Sequence, residues 1–110
     1  VTGVQTCALP ILNNIKIPKY GIWAMTKNKE PNLFFKKLRG VFKKVVTMPI
    51  ENEINSVSAN ELYKIATKNK CYAEKSINFS ESLKKISSKE KKLIVCFGSL
   101  YNCGNILNKN

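Results

Sequence analysis

Histidine is absent from the 110 residues, and arginine occurs once, at Arg39. The first absence removes the commonest zinc ligand and the side chain that most often moves protons near neutral pH. The second bears on nucleic acid, because base reading and bidentate phosphate binding favour arginine's planar fork. The four cysteines Cys7, Cys71, Cys96 and Cys103 show none of the paired spacing of a zinc site, so no metal ligand is nominated. No apolar run reaches the roughly 18 to 20 residues that span a bilayer. The start also lacks the basic segment and apolar stretch of a signal peptide, and a cytoplasmic location is expected.

What is present in excess is lysine. The formal charge of +12 and pI near 9.7 raise the possibility of an anionic partner, since clustered cations release counterions from phosphate. Asparagine and isoleucine are abundant beside it, the set an AT-rich genome over-encodes, and this favours solvated lysine faces over a binding stripe. A hydrophobic fraction of 44% in 110 residues suits one domain with one small core. Cys96, inside an apolar run, and Cys103, on the apolar side of a short helix, read as small buried hydrophobes in a reducing compartment. Cys71 has no assigned role.

The first eleven residues, Val1 to Ile11, contain neither lysine nor asparagine, whereas Leu12-Asn13-Asn14-Ile15-Lys16 starts the Lys/Asn/Ile texture at once. The segment resembles over its whole length the translation of a common short-read sequencing adapter. Residues 1–11 are therefore set aside from fold reasoning as foreign, and residues 12–110 are read as a domain entered within a gene.

Lys19 to Met25 is a short aromatic and β-branched run between Pro18 and Thr26-Lys27-Asn28-Lys29, and it reads as a buried strand. Pro31 suits the first turn of a helix. Phe34, Leu38 and Val41 then recur at i, i+4 and i+7 with Phe35 and Phe42 beside them, Lys36, Lys37, Arg39 and Lys43 fall opposite, and Gly40 weakens the last turn. Val45 to Met48 is a second strand ending at Pro49, which completes a βαβ unit. Such a crossover puts the strand ends on one edge, where ligands usually sit. After the loop Glu51 to Ser56, Ser58-Ala59-Asn60-Glu61 is a capping box with Val57 and Leu62 as its hydrophobic staple. Leu62, Ile65 and Ala66 form the buried face, Asn69 stops the helix, and Cys71 to Glu74 is a short edge strand. Ser80 is expected to cap a further helix, with Leu83 and Ile86 inward and Lys84, Lys85, Lys89, Lys91 and Lys92 solvated. Leu93 to Phe97 is continuously apolar, as in a central strand covered on both faces. Gly98 ends it, and Leu100, Cys103 and Leu107 share one side of a terminal helix.

The expected fold class is therefore α/β: a three-layer, Rossmann-like sheet with helices on both faces. The junction Phe97-Gly98-Ser99-Leu100-Tyr101 puts a glycine and a hydroxyl between a buried strand and a helix start, where free amides and the helix dipole favour an anion. On physics alone a turn that ends the strand and caps the helix is the preferred reading.

Four segments occur together in order: Trp23 to Pro31, Val45 to Ile50, Val57 to Leu62, and Val95 to Tyr101 with Gly104-Asn105-Ile106-Leu107. They resemble the last domain of bifunctional folylpolyglutamate synthase and dihydrofolate synthase, of the Mur ligase superfamily, over nearly all of residues 12–110. The Gly-Ser-Leu-Tyr turn is the most specific piece. The family carries a glycine where Ala24 stands and Asn-Lys-Asp where this chain has Asn28-Lys29-Glu30. The resemblance implies an ATP-dependent carboxylate to amine ligase in which ATP and Mg2+ activate a folate carboxylate and L-glutamate attacks the acyl phosphate. It implies that Ser99 and Tyr101 contact the substrate, that no catalytic residue, nucleotide site or metal ligand lies in this piece, and that the piece alone is inactive. Its expected partners are small molecules (folate or dihydropteroate, L-glutamate and ATP) for a monomer, with no nucleic acid and no membrane. Two other classes stay open, a small basic nucleic-acid-binding domain and a free-standing flavodoxin-like binding domain.

Overall fold

The computed structural model describes residues 2–4, as backbone, and residues 16–98. Five strands form one parallel sheet in the order β1-β5-β2-β3-β4, where β1 is Thr2–Val4, β2 Lys19–Ala24, β3 Lys44–Thr47, β4 Ala73–Lys75 and β5 Leu93–Gly98. Among the described residues three α-helices link β2 to β3, β3 to β4 and β4 to β5: α1 Pro31–Lys36, α2 Ala59–Lys68 and α3 Phe79–Ile86. Among the described residues no helix is long and apolar enough to cross a membrane.

Period-two alternation along the central strands assigns the layers. Trp23, Val45, Val95 and Phe97 pack on one face against Phe35 and Leu38 of the α1 region and Leu62, Ile65 and Ala66 of α2. Ile22, Ala24, Val46 and Cys96 pack on the other face against Phe79, Leu83 and Ile86 of α3. The three-layer α/β arrangement expected from the pattern is the one observed. β5 is internal, paired with β1 and β2, and both its faces are covered, as its unbroken apolar run requires.

Several local expectations shift. The α1 helix ends at Lys36, and Gly40 follows at φ +82. The buried side chains there are Phe35, Leu38 and Phe42, while Phe34 and Val41 are only partly covered. Leu38 is central as expected, but the face turns slightly so that Phe35 and Phe42, expected beside the stripe, are buried with it and Phe34 and Val41 lie at its margin. Ser58 does cap α2, its side chain accepting from the Glu61 N–H at 3.1 Å, and Asn69 ends it. Ser80 does not cap α3. Asn78 does, accepting from the Glu81 N–H at 2.8 Å, and Ser80 is exposed inside the first turn. Asn78 and Glu81 stand three apart, the same spacing as Ser58 and Glu61, so two rival caps were written two residues apart.

Two lysines expected to be merely solvated are fixed. Lys85 donates to the Lys75 carbonyl at 2.6 Å. The Lys92 ammonium meets the Ile86 carbonyl at the end of α3 and lies 4.8 Å from the Tyr20 ring centroid.

The β1 strand comes from the segment set apart as foreign by its composition. Thr2, Gly3 and Val4 align with Val95, Cys96 and Phe97 on the outer edge of β5. Such pairing runs through backbone groups, so any extended segment can supply it.

Candidate functional site

The chain moves outward from β2 to β3 to β4 and then returns to the opposite flank of β2 to lay down β5. The order therefore reverses between β2 and β5, and the carboxyl ends of those two strands flank the crevice where open α/β sheets bind ligands. Three connections reach this edge. Met25 and Thr26 leave β2 into a 3-10 turn, Lys27–Lys29; Met48, Pro49 and Ile50 leave β3; and Gly98 closes β5.

The first two connections are tied into one platform. The Lys27 N–H donates to the Asn55 carbonyl at 2.9 Å, the Val57 N–H to the Met25 carbonyl at 2.9 Å, and the Ile50 N–H to the Ser56 hydroxyl at 2.8 Å. The Thr26 hydroxyl donates to the Asn28 side-chain carbonyl at 2.6 Å, which fixes the turn that delivers Glu30 and Pro31. Glu30 then sits at φ +49 just before α1.

Gly98 is the tightest point of the edge. It lies at φ +111, and a Cβ there would fall 2.0 Å from the Ala24 carbonyl oxygen and 3.1 Å from Trp23 Cδ1. Only glycine allows β5 to end this close to β2. Beneath the edge an aromatic stack fills the first face of the sheet. Trp23 lies 4.6 Å from Phe35 and 6.0 Å from Phe97 between ring centroids, and Phe42 stacks on Phe97 at 4.9 Å. Trp23 is fully buried, and its Nε1 has no acceptor among the described residues.

Beside the crevice, an open hollow of about 410 Å3 lies against α1, lined by Lys29, Glu30, Leu33, Phe34, Lys36 and Lys37. Its apolar floor and three ammonium groups against one carboxylate favour an anionic surface. Phe34 joins this hollow to the stack, 6.3 Å from Trp23.

Below β3 and β4, a hydroxyl cluster joins α3 to the sheet. Ser76 and Ser82 share a hydrogen bond and Ser82 reaches Met48 Sδ at 3.6 Å, while on the opposite face Thr47 donates to the Ala59 carbonyl of α2 at 2.8 Å. All three hydroxyls are buried and satisfied, and they tie the end of β3 to α2 on one face and to α3 on the other. At the sheet margin the Lys44 ammonium, 2.7 Å from Glu74, holds that carboxyl below its usual range; partial burial opposes this, and the Lys85 charge assists. Cys71 lies just before β4, where burial pushes its thiol up to about 11.

Ser99 and Tyr101, the residues expected to contact substrate, lie outside the described residues, as do Leu100, Cys103 and Leu107. The structure places the strand that leads to them, with Gly98 against Ala24 and Trp23 at the reversal in strand order. Sequence reasoning put Trp23 in a buried strand but did not foresee its orphaned N–H. A lone tryptophan one residue from the end of a strand was the available signal.

No family model and no curated protein matches this chain. Solved structures do. Folylpolyglutamate synthase from Mycobacterium tuberculosis, complexed with ADP and AMPPCP, matches 94% of this chain and 26% of its own at a TM-score of 0.80 and 14% identity. The Yersinia pestis bifunctional folylpolyglutamate synthase/dihydrofolate synthase, complexed with AMPPNP and Mn ion, matches 94% and 25% at 0.78 and 12% identity. E. coli FolC in complex with ADP matches 94% and 25% at 0.79 and 11% identity. What is shared at this identity is the fold, and the chain spans about a quarter of the length of these ligases.

Proposed function

We propose that the chain is the carboxy-terminal portion of an ATP-dependent folate:L-glutamate ligase, where it helps position glutamate against an acyl phosphate. The observation that carries this reading is the fold shared over 94% of the chain with folylpolyglutamate synthases. The strand Leu93–Gly98, which leads into the turn whose sequence resembles that family, ends at the reversal in strand order and so supports the same reading.

A carboxylate is a poor electrophile until it gains a leaving group, which ATP supplies and Mg2+ helps to neutralise when bound. Among the described residues no three His, Cys, Asp or Glu side chains converge as a metal set. The family resemblance, rather than this absence, assigns nucleotide and metal mainly to the rest of the parent enzyme. What this chain contributes is position: Gly98 brings the β5 turn against β2, and Ser99 and Tyr101 follow as contacts for the amino acid or the reacting carboxylate. In this reading the parent is a cytoplasmic monomer acting on folate or dihydropteroate, L-glutamate and ATP, and residues 1–11 are foreign to it.

The test is a chimera in which residues 12–110 replace the matching quarter of E. coli FolC. The expected result is measurable glutamate ligation, with Ser99→Ala raising the KM for glutamate more than that for ATP. A chimera that folds and binds ADP but ligates nothing sinks the proposal. The 110-residue chain alone is expected to neither hydrolyse ATP nor ligate glutamate, and turnover by it would contradict the assignment of the catalytic half elsewhere.

A further inference from the structure

The open hollow against α1 combines an apolar floor with charge that the chain itself leaves unused. Lys29, Lys36 and Lys37 are exposed, and among the described residues their ammonium groups make no ion pair, hydrogen bond or ring contact. Other lysines are tied down: Lys43 to Glu90, Lys44 to Glu74, Lys85 to the Lys75 carbonyl and Lys92 to the Ile86 carbonyl. Glu30 is the lone carboxylate of the lining, so positive charge prevails there. Leu33, 57% exposed, and the partly covered Phe34 supply the floor. The cations are spread along the hollow and not gathered at one point. Lys29 closes the turn at the carboxyl edge of the sheet, while Lys36 and Lys37 stand at the other end of α1, whose six residues advance about 9 Å. That arrangement suits an extended polyanion with apolar stretches between its charges better than one compact anion.

The ligation proposed above generates such a molecule. Joining glutamate to a carboxylate consumes one carboxylate and brings two, so a product that returns as substrate carries one more negative charge each time, on a chain with methylenes between its carboxylates. We infer that the α1 hollow is a subsite for this oligoglutamyl tail: Lys29, Lys36 and Lys37 pair with its carboxylates, and Leu33 and Phe34 take the methylenes between them. The inference rests on the glutamate-ligase reading and adds to it the place where earlier glutamyl residues lie, beside the crevice.

The test titrates the full 110-residue chain with γ-linked penta-L-glutamate, followed by proton–nitrogen NMR, against L-glutamate at matched carboxylate concentration. The expected result is a saturable shift of the amides of residues 29–37 with the pentamer, weakened by added salt, and about tenfold weaker binding of the free amino acid. Lys29→Gln, Lys36→Gln and Lys37→Gln together should weaken pentamer binding about tenfold, the sum of three exposed pairs. Glu30→Gln should tighten it about twofold by removing the opposing charge. Lys64→Gln, Lys68→Gln and Lys84→Gln together make the same change in net charge on exposed positions of α2 and α3, and should leave the affinity within about twofold. Equal weakening by the two triple variants, or shifts spread over every lysine-bearing face, would trace the response to net charge alone and overturn the inference. So would free glutamate binding as tightly as the pentamer, or no saturable response to the pentamer. The ligase reading is judged separately, by glutamate ligation in the chimera, and stands if the chimera ligates while the hollow fails to bind.

Discussion

Gly98→Ala isolates the contact on which the crevice depends. Two costs are superposed at this position. A φ of +111 is unfavourable for any residue with a Cβ, at about 1 to 2 kcal/mol. The new Cβ would also fall 2.0 Å from the Ala24 carbonyl oxygen, a backbone atom that cannot rotate away. Separating β2 from β5 to relieve it disturbs two central strands, and forced repacking of this kind costs about 1 to 3 kcal/mol. The sum is about 3 kcal/mol, a large part of the roughly 5 to 15 kcal/mol that stabilises a domain. Gly40→Ala is the internal control. Gly40 has φ +82, but nothing lies within 4 Å of a Cβ there, so it bears the conformational cost alone. With a urea slope of about 1.5 kcal/mol per molar, Gly98→Ala should lower the midpoint by roughly 2 M and Gly40→Ala by roughly 0.7 M. The assay is equilibrium urea unfolding followed by Trp23 fluorescence, since the sole tryptophan sits in the contact. Equal midpoint shifts for the two variants would refute the close approach of Gly98 to Ala24.

The caps of the two longer helices give a paired prediction. Ser58→Ala and Asn78→Ala should each cost about 1 kcal/mol, lowering Tm by about 4 to 8 °C, whereas Ser80→Ala should stay within about 0.5 kcal/mol; a larger loss at Ser80 in thermal unfolding would restore it as the cap. Glu74 is held below its ordinary 4.5 by the hydrogen bond from Lys44, against partial burial. Its contribution is therefore full above that ordinary value and is lost as pH falls through the lower, folded one. Glu74→Gln should cost less than about 1 kcal/mol at pH 7, as exposed ion pairs do, and should flatten the acid limb of stability against pH; an unchanged acid limb would show the pair to be inert. Cys71, raised to about 11 by burial, should hold roughly two-hundred-fold less thiolate at pH 8 than an unperturbed cysteine. Peptide-mapped alkylation at that pH should leave it among the slowest to react, and labelling as fast as free cysteine would show that the burial is absent.

The sequence made legible those features whose causes are local. The run Leu93 to Phe97 reads as a strand covered on both faces, because consecutive apolar residues place apolar side chains on each side of the sheet. Ser58 and Glu61 carry their own cap geometry, and the structure forms the Ser58 bond. Where two local signals competed, tertiary packing chose. At α3, Asn78 and Ser80 both suit a cap, and burial of Ser82 against Ser76 and Met48 fixes the helix start so that Asn78 takes the role. That bond joins residues 34 apart in sequence, a relation no local pattern encodes. In the α1 region the buried stripe Phe35, Leu38 and Phe42 keeps the i, i+3, i+7 spacing although the α-helix itself ends at Lys36.

The site divides along the same line. That a glycine should close β5 was readable, since a sharp end to a buried run needs one. Why nothing else could stand there was not, because the obstacle is the carbonyl of Ala24, 74 positions earlier and brought near only by the parallel pairing of β2 with β5. The orphaned N–H of Trp23 arises from the same pairing. A tryptophan in a strand end reads as core, and its lack of an acceptor emerges only once its neighbours among the described residues prove to be rings. Apolar packing thus sets the architecture, and the one buried side-chain donor it leaves without an acceptor among the described residues, Trp23 Nε1, lies at the strand end that Gly98 closes against β2.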